Sequence, residues 1–434
     1  MKDIADYALV ALKKSGADKA FCSAEKGRTD EFNIEANEFT LLRTTFKDSL
    51  HLKALVGGRK GVLLLNKLDK ASIDEAATNC VALAKSSQPD DAEDIAPLEE
   101  NMDFDFTNGE PDITGLFSRS KEYLAQVRDE LPKIVLESFS SSCTAAESVY
   151  ANSNGVCFFE KNTYYNFSSM FVGKDGDKSS SFNYDGAYMS DMNTPFMNSG
   201  MHRRLLEEAE RSTNPRPSED KFVGKIIVTP ACADLLWETI LQNFISDRPL
   251  IEGTSRWKDA LGTQVASPLL TFRAAPHHPQ VIRGHEWTQD GFRVKDVDFI
   301  RDGVLKNFAL SLYGANKTGK ALAPTSAHNF EVAAGNTPLD EMIKSVDRGI
   351  LLNRFSGGSP GASGDISGVA KNSFLIEKGN ITDALQETMI SFNILDALKN
   401  IASVSAERVA NGIMVLPWCC LQGITVSGAQ GAQQ

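Results

Sequence analysis

The sequence predicts an α+β protein, with an N-terminal α/β unit of antiparallel sheet and flanking helices followed by a β-rich C-terminal domain. Three observations predict it: an amphipathic helix opens the chain, long stretches alternating apolar and polar residues follow, and short apolar strands between glycine-rich turns fill the second half. With 434 residues, 42% of them hydrophobic and 24% charged, the chain has apolar material for more than one core.

Residues 3–15 place Ile4, Tyr7, Ala8, Val10, Ala11 and Leu12 at helical spacing, and Gly16 supplies a C-terminal stop. Strand patterns follow over 20–24, 30–37, 40–48, 49–56 and 61–65, with a tight turn at Gly57-Gly58-Arg59-Lys60. Residues 70–87 return to helical spacing through Ile73, Ala76, Ala77, Cys80, Val81, Leu83 and Ala84. This α-β-β-β-α unit defines a first domain over 1–90, and the polar, acidic stretch 86–94, with Pro89, reads as its connector.

A central α+β region over 91–219 begins with a helical pattern at 116–131. Long alternating strands follow at 133–139, 143–151, 156–172 and 180–189, the signature of an antiparallel sheet with one wet face. A helix is expected over 196–211, ended by Ser212-Thr213-Asn214-Pro215. The β-rich C-terminal domain spans 220–428, with clear strands at 225–228, 269–272, 297–300 and 374–377 and turns at Arg301-Asp302-Gly303 and Lys378-Gly379-Asn380. Residues 429–434 have the composition of a flexible tail.

Lys and Arg number 45 against 57 Asp and Glu, a net charge of −12, so the basic footprint of a nucleic-acid binder is absent. No apolar run is long enough to span a bilayer, and the acidic start Met1-Lys2-Asp3-Ile4-Ala5-Asp6 is unlike a signal peptide, so a cytoplasmic protein is expected. The seven cysteines show no C-x-x-C spacing and read as buried, reduced thiols.

One helix is expected inside the β-rich domain, over 231–244, with Pro230 preceding it and Leu235, Leu236, Ile240 and Leu241 on its apolar side. Glu238 sits among these apolar neighbours. It either points to solvent or caps a backbone, or it is the remnant of a general base of the kind metalloproteases keep beside a histidine ligand.

At this helix a family resemblance becomes specific. Lys225-Ile226-Ile227-Val228-Thr229-Pro230, Leu261-Gly262-Thr263-Gln264-Val265 and Phe299-Ile300-Arg301-Asp302-Gly303-Val304 follow one another in the order found in the TldD/TldE (PmbA) proteins, also called modulators of DNA gyrase. Gly364-Asp365-Ile366-Ser367-Gly368-Val369-Ala370, Phe374-Leu375-Ile376-Glu377-Lys378-Gly379 and Ile390-Ser391-Phe392-Asn393 continue the match, and the N-terminal turn at 56–61 extends it over nearly the whole chain.

In the TldD branch this helix carries H-E-x-x-x-H, two zinc ligands and a glutamate, with a cysteine near the C-terminus as a third ligand. The matching positions here are Trp237, Glu238 and Gln242, and no cysteine occurs over 403–412. Indole and neutral amide are poor zinc ligands beside imidazole or thiolate. Cys419 and Cys420 lie past Pro417, in what reads as a buried strand. The chain is therefore similar to the TldE (PmbA) branch, for which the resemblance implies no catalytic residue and no metal in this chain, zinc in a TldD-like partner, and a heterodimeric peptidase acting on unfolded peptides. Leader segments of ribosomally made peptides and short-lived antitoxins are substrates of that family.

Other chemistry has less support. His277, His278 and His285 share a turn-rich loop that could in principle gather three imidazoles, with no partner to orient them visible in the sequence. The run Gly357-Gly358-Ser359-Pro360-Gly361-Ala362-Ser363-Gly364 has the glycine density of a phosphate loop but lacks its Gly-Lys-Ser/Thr ending. It reads as a loop bordering a groove, with Gly357, Gly358, Gly364 and Asp365 as candidates to touch peptide. The serine runs at 138–142 and 179–181 form no nucleophile elbow. The alternatives to a partner subunit are an independent divergent metallopeptidase or hydrolase, which includes a homodimer of this chain alone, and a peptide-binding regulatory protein.

Overall fold

The structure is a computed structural model describing residues 1–218, 221–358 and 360–428. The expected tail at 429–434 and Ser359 of the glycine-rich loop lie outside the described residues. The fold is α+β, built on two large sheets, the first antiparallel but for one strand and the second mixed. No helix among the described residues is long and apolar enough to cross a membrane.

The first sheet is framed by α1 (Lys2–Ser15), capped by left-handed Gly16, and α2 (Lys70–Ser86), whose N-cap Asp69 accepts from the Ser72 amide. Its strands are β1 (Lys19–Glu35), β2 (Glu38–Val56), β3 (Arg59–Leu65), β4 (Met102–Phe106), β5 (Ile134–Asn152) and β6 (Cys157–Asp175), in the order β3-β2-β1-β5-β6-β4. The N-terminal strands and the central strands thus share one sheet through the antiparallel pairing of β1 with β5. The strand Asn183–Met189 extends it by pairing with β6.

Expected breaks within these strands do not occur. Residues 20–24 and 30–37 lie largely in one strand, as do 40–48 and 49–56, because β1 runs in register with both neighbours through the polar stretch Lys26-Gly27-Arg28. The expected strands stopped short of this polar stretch, and two-sided backbone pairing carries the strand through it. The helix expected over 196–211 is also divided. A short 3-10 turn at Phe196–Asn198 precedes α-helix His202–Arg211, with Gly200 between them at φ 59°.

The apolar face of the first sheet is covered in two places. Cys22, Ala24, Leu50 and Leu52 pack on α1 and α2, while Phe32, Ile34, Phe139 and Phe167 pack on α3 (Ile113–Glu130) and the helix His202–Arg211. The second cluster continues into one face of the C-terminal sheet through Ile227, Leu351, Phe374 and Cys420.

That C-terminal sheet is organised around the central strand Met414–Ser427, which pairs antiparallel with Phe222–Val228 and Ile401–Ala410. Its other face, with Ile226, Val228, Ile350, Leu352 and Cys419, packs on a helix that follows Val228. Short helices at Asp247–Ile251, Leu312–Thr318, Leu339–Lys344 and Ile394–Lys399 were not expected, each spanning two turns or fewer and too short to show a helical period. The strand expected at 269–272 is displaced to Phe272–Ala274.

Candidate functional site

The strand Phe222–Val228 feeds the turn Thr229-Pro230, and the α-helix proper spans Asp234–Ile240. It starts later than Pro230 suggests, and a π-helical turn, Leu241–Ile245, replaces its last α-helical turn. Such π turns place residues five apart on more nearly the same side of a helix, and they occur often at functional sites.

The motif positions separate by burial. Trp237 is fully buried and stacks on Phe272 with ring centroids 5.4 Å apart at 27°. Its indole N–H has no hydrogen-bond partner among the described residues, so the side chain acts as packing material. Glu238 and Gln242 are exposed. Burial by surrounding protein raises the Glu238 carboxyl above its ordinary value, Asp234 adds to the rise, and His328 opposes it. Cys419 and Cys420 are buried in the central strand, paired across from Val228 and Ile227.

Close to the start of this helix runs the strand Arg354–Gly357, which among the described residues pairs only with Asp365–Lys371. Its Phe355 backbone adjoins the buried thiol of Cys232, just before the helix. Arg354 fixes the strand from outside, its guanidinium 3.8 Å from the Phe182 ring centroid and bonded to the Phe182 carbonyl. Gly357 is closely packed, a Cβ there falling 2.6 Å from the Phe355 ring, whereas Gly358 has open space around it. Gly364 adopts φ 83° beside Phe244 and Ile394. Asp365 is exposed, and hydrogen bonds from Asn393 and Ser363 hold its carboxyl below the ordinary range. The loop is tied to the π turn, because Asn243 Nδ2 donates to the Pro360 carbonyl at 2.8 Å. That bond ties the glycine-rich loop, with Gly358 before Pro360 and Gly364 and Asp365 after it, to the end of the helix that carries Glu238 and Gln242.

The three loop histidines have separate surroundings. His277 lies 3.5 Å from Glu286 and 3.6 Å from Asp296. His278 accepts the Gln280 amide through Nδ1 at 3.1 Å, and its Nε2 is 3.5 Å from Glu331, which leaves neither nitrogen free. His285 has no carboxylate within ion-pair range, and burial, Arg283 and His328 lower its imidazole below the ordinary value. Among the described residues, no group of three or more His, Cys, Asp or Glu side chains is arranged to hold a metal ion.

Comparison with known domain families matches residues 108–213 to the PmbA/TldA metallopeptidase central domain and residues 223–428 to the PmbA/TldA metallopeptidase C-terminal domain. The chain belongs to the PmbA/TldD family. Relatives in this family include the metalloprotease PmbA of Escherichia coli, 24% identical over 378 residues that cover 83% of this chain and 82% of that protein. A metalloprotease PmbA homolog of Haemophilus influenzae is 23% identical over 410 residues, covering 90% of this chain and 89% of its own. Among solved structures, TldE from Thermococcus kodakarensis superposes with a TM-score of 0.86 at 20% identity over 98% of this chain and 99% of its own, so the two share a fold.

The sequence reading missed a second polar surface, on the first sheet. The polar face of the first sheet carries Glu25, Ser148 and Glu160 in one cross-strand row, and Thr29, Thr144 and Tyr164 in another. The loop after Ala275 closes onto this face: Trp287 stacks on Phe158 at 5.8 Å, and the Tyr150 hydroxyl donates to the Asp290 carbonyl at 2.8 Å. Gly291 permits that approach, since a Cβ there would fall 2.2 Å from the Tyr150 ring. Glu160 is buried, and desolvation raises its carboxyl to about 7 against the pull of Asn162 and Arg283. A signal existed in β6, where the polar residues Glu160, Asn162, Tyr164 and Asn166 recur at every second position.

A buried polar chain lies under the helix His202–Arg211. The Tyr123 hydroxyl is 2.7 Å from His202 Nε2, and Asp185 lies 3.3 Å from Nδ1 without hydrogen-bonding alignment. His202 is completely buried among Phe167, Phe171 and Tyr123.

Proposed function

We propose that this chain is the TldE/PmbA-like subunit of a TldD/TldE-type metallopeptidase that degrades or processes unfolded peptides, and that it lends a peptide-binding groove while the zinc and the hydrolytic residues belong to a TldD-like partner. The observation that carries this reading is Trp237. Where the TldD branch keeps its first histidine, this chain has an indole without a free lone pair, buried against Phe272. Gln242 replaces the second ligand with a neutral amide. The donor set at these positions does not fit zinc, so no step of hydrolysis is assigned to this chain.

What the groove offers is backbone. Among the described residues Arg354–Gly357 pairs as a strand only with Asp365–Lys371, which leaves its other edge, where the Phe355 backbone meets the Cys232 thiol, as the candidate edge for an incoming strand. An extended peptide can add to such an edge through main-chain hydrogen bonds, which favours unfolded substrates and demands little of their sequence. Gly358 leaves room for the side chains of such a peptide.

The test is reconstitution. The purified chain alone should carry no stoichiometric zinc and cleave no unfolded peptide, and cleavage should appear when it is mixed with a TldD-like protein bearing H-E-x-x-x-H. One equivalent of tightly bound metal in this chain alone, or cleavage without the partner, overturns the assignment.

A further inference from the structure

We propose that Arg283 is a carboxylate-binding residue of the groove, gripping either the C-terminal carboxylate or an acidic side chain of an extended peptide; the proposal rests on the peptide-groove reading above. Arg283 lies in the loop that closes onto the polar face of the first sheet, half-buried, with its guanidinium 4.5 Å from the Tyr164 ring centroid. Tyr164 is itself held in place by Tyr188, 5.7 Å away.

The backbone beneath Arg283 is fixed on both sides. Its N–H donates to the Gly412 carbonyl at 3.0 Å, and its carbonyl accepts from Asn329 Nδ2 at 2.9 Å. The side chain, by contrast, has no hydrogen-bond or ion-pair partner among the described residues, and its nitrogens are not sealed from solvent. A guanidinium stacked on an aromatic ring keeps its N–H fork free and oriented, which is the geometry that receives a carboxylate through two parallel hydrogen bonds.

The neighbouring acids do not supply that carboxylate. Glu286 lies 3.5 Å from His277, and Glu25 lies 3.0 Å from Lys47. Glu160 is hydrogen-bonded by Asn162 at 3.4 Å, and burial favours its uncharged form. Arg283 also stands on the way to the motif helix. Asn329, which holds its carbonyl, follows His328, and His328 is near enough to Glu238 to act on its charge. Arg283 acts on Glu160 only at a distance, and a cation with no hydrogen-bonded or ion-paired acid among the described residues is placed to receive an incoming anion.

The experiment uses the full chain and a fluorescein-labelled decapeptide of Gly, Ser and Ala in three forms: free C-terminal carboxylate, C-terminal amide, and amide with one internal Glu. Affinities are read by fluorescence anisotropy near neutral pH. The wild-type chain should bind at least one acid-bearing form about tenfold more tightly than the plain amide, and whichever form gains identifies the source of the carboxylate. Arg283→Ala and Arg283→Gln should both lose this preference, and Arg283→Lys should retain part of it. Equal affinity of the wild type for all three peptides, or a preference that survives in both substituted chains, overturns the role of Arg283. Absence of binding to any of the three overturns this proposal and the peptide groove together.

Discussion

Glu160→Gln is expected to make the chain more stable at high pH than the wild type, by an amount that grows between mildly acidic and mildly alkaline conditions. Glu160 is 7% exposed, and burial raises its carboxyl from the ordinary value of 4.5 to about 7. Below the ordinary value, folded and unfolded chains both hold the proton, and the group has no effect on the balance. Between the two values only the folded chain holds it, so stability falls as pH rises, and above about 7 the loss is complete. At roughly 1.4 kcal/mol for each tenfold change in proton affinity, the interval corresponds to about 3 kcal/mol. A glutamine of the same shape has no proton to lose and removes this slope. Urea unfolding of both chains at several values from about pH 4.5 to about pH 8.5 measures the difference directly. The variant should gain steadily on the wild type across that range, whatever its offset at the acid end. A difference that stays flat, or that reverses sign so that the wild type gains, refutes the assignment of Glu160 as a carboxyl buried in its neutral form.

Four further outcomes follow from the same structure. Trp237→Ala should cost about 3–5 kcal/mol in the C-terminal domain by opening a cavity against Phe272, read as a lower denaturation midpoint; a surface-like cost under about 0.5 kcal/mol would contradict its burial. The pair Trp237→His with Gln242→His should yield no stoichiometric zinc by elemental analysis, because position 237 is turned into the core, and one bound equivalent would show that the helix still presents a metal face. Glu238→Gln should leave peptide cleavage by the mixture with a TldD-like protein within about twofold, since a general base without an adjacent metal contributes little. Tyr123→Phe removes the partner of His202 Nε2 and should lower stability by about 1–3 kcal/mol, checked by chemical denaturation.

The sheets and the helix framing the groove were legible because their signals are periodic. Of the expected stripe, Ile73, Ala76, Ala77, Cys80, Val81 and Ala84 are buried along α2 as their spacing implies, while Leu83 faces out. Strand lengths were less legible, since the expected strands stop short of the polar Lys26-Gly27-Arg28, which β2 and β5 bind from both sides. Gly357, Gly358, Gly364 and Asp365 were named from glycine density and family order, and the structure ties their loop to the π turn through Asn243 and Pro360. Arg283, His328 and Glu160 could not be gathered in advance, because they come from separate segments that only tertiary packing brings together, and no local spacing encodes that. Trp237 was legible as a missing histidine, but its place in the core depended on Phe272 from a distant strand.

The double pairing of β1 has a consequence for how the chain is made and how it survives damage. Phe21 lies opposite Lys53 on one edge and Asn152 on the other, and Ile34 lies opposite both Phe39 and Phe139. The hairpin with β2 can close as soon as it leaves the ribosome, but the other edge must wait for β5, and until then it exposes a long ladder of unbonded amides and carbonyls to any strand that passes. Once β5 is in place, a protease that cuts the stretch between α2 and β4 severs the chain without releasing the piece before the cut, because the β1–β5 ladder still holds it. The two fragments should then travel as one particle and separate only under conditions that melt the sheet.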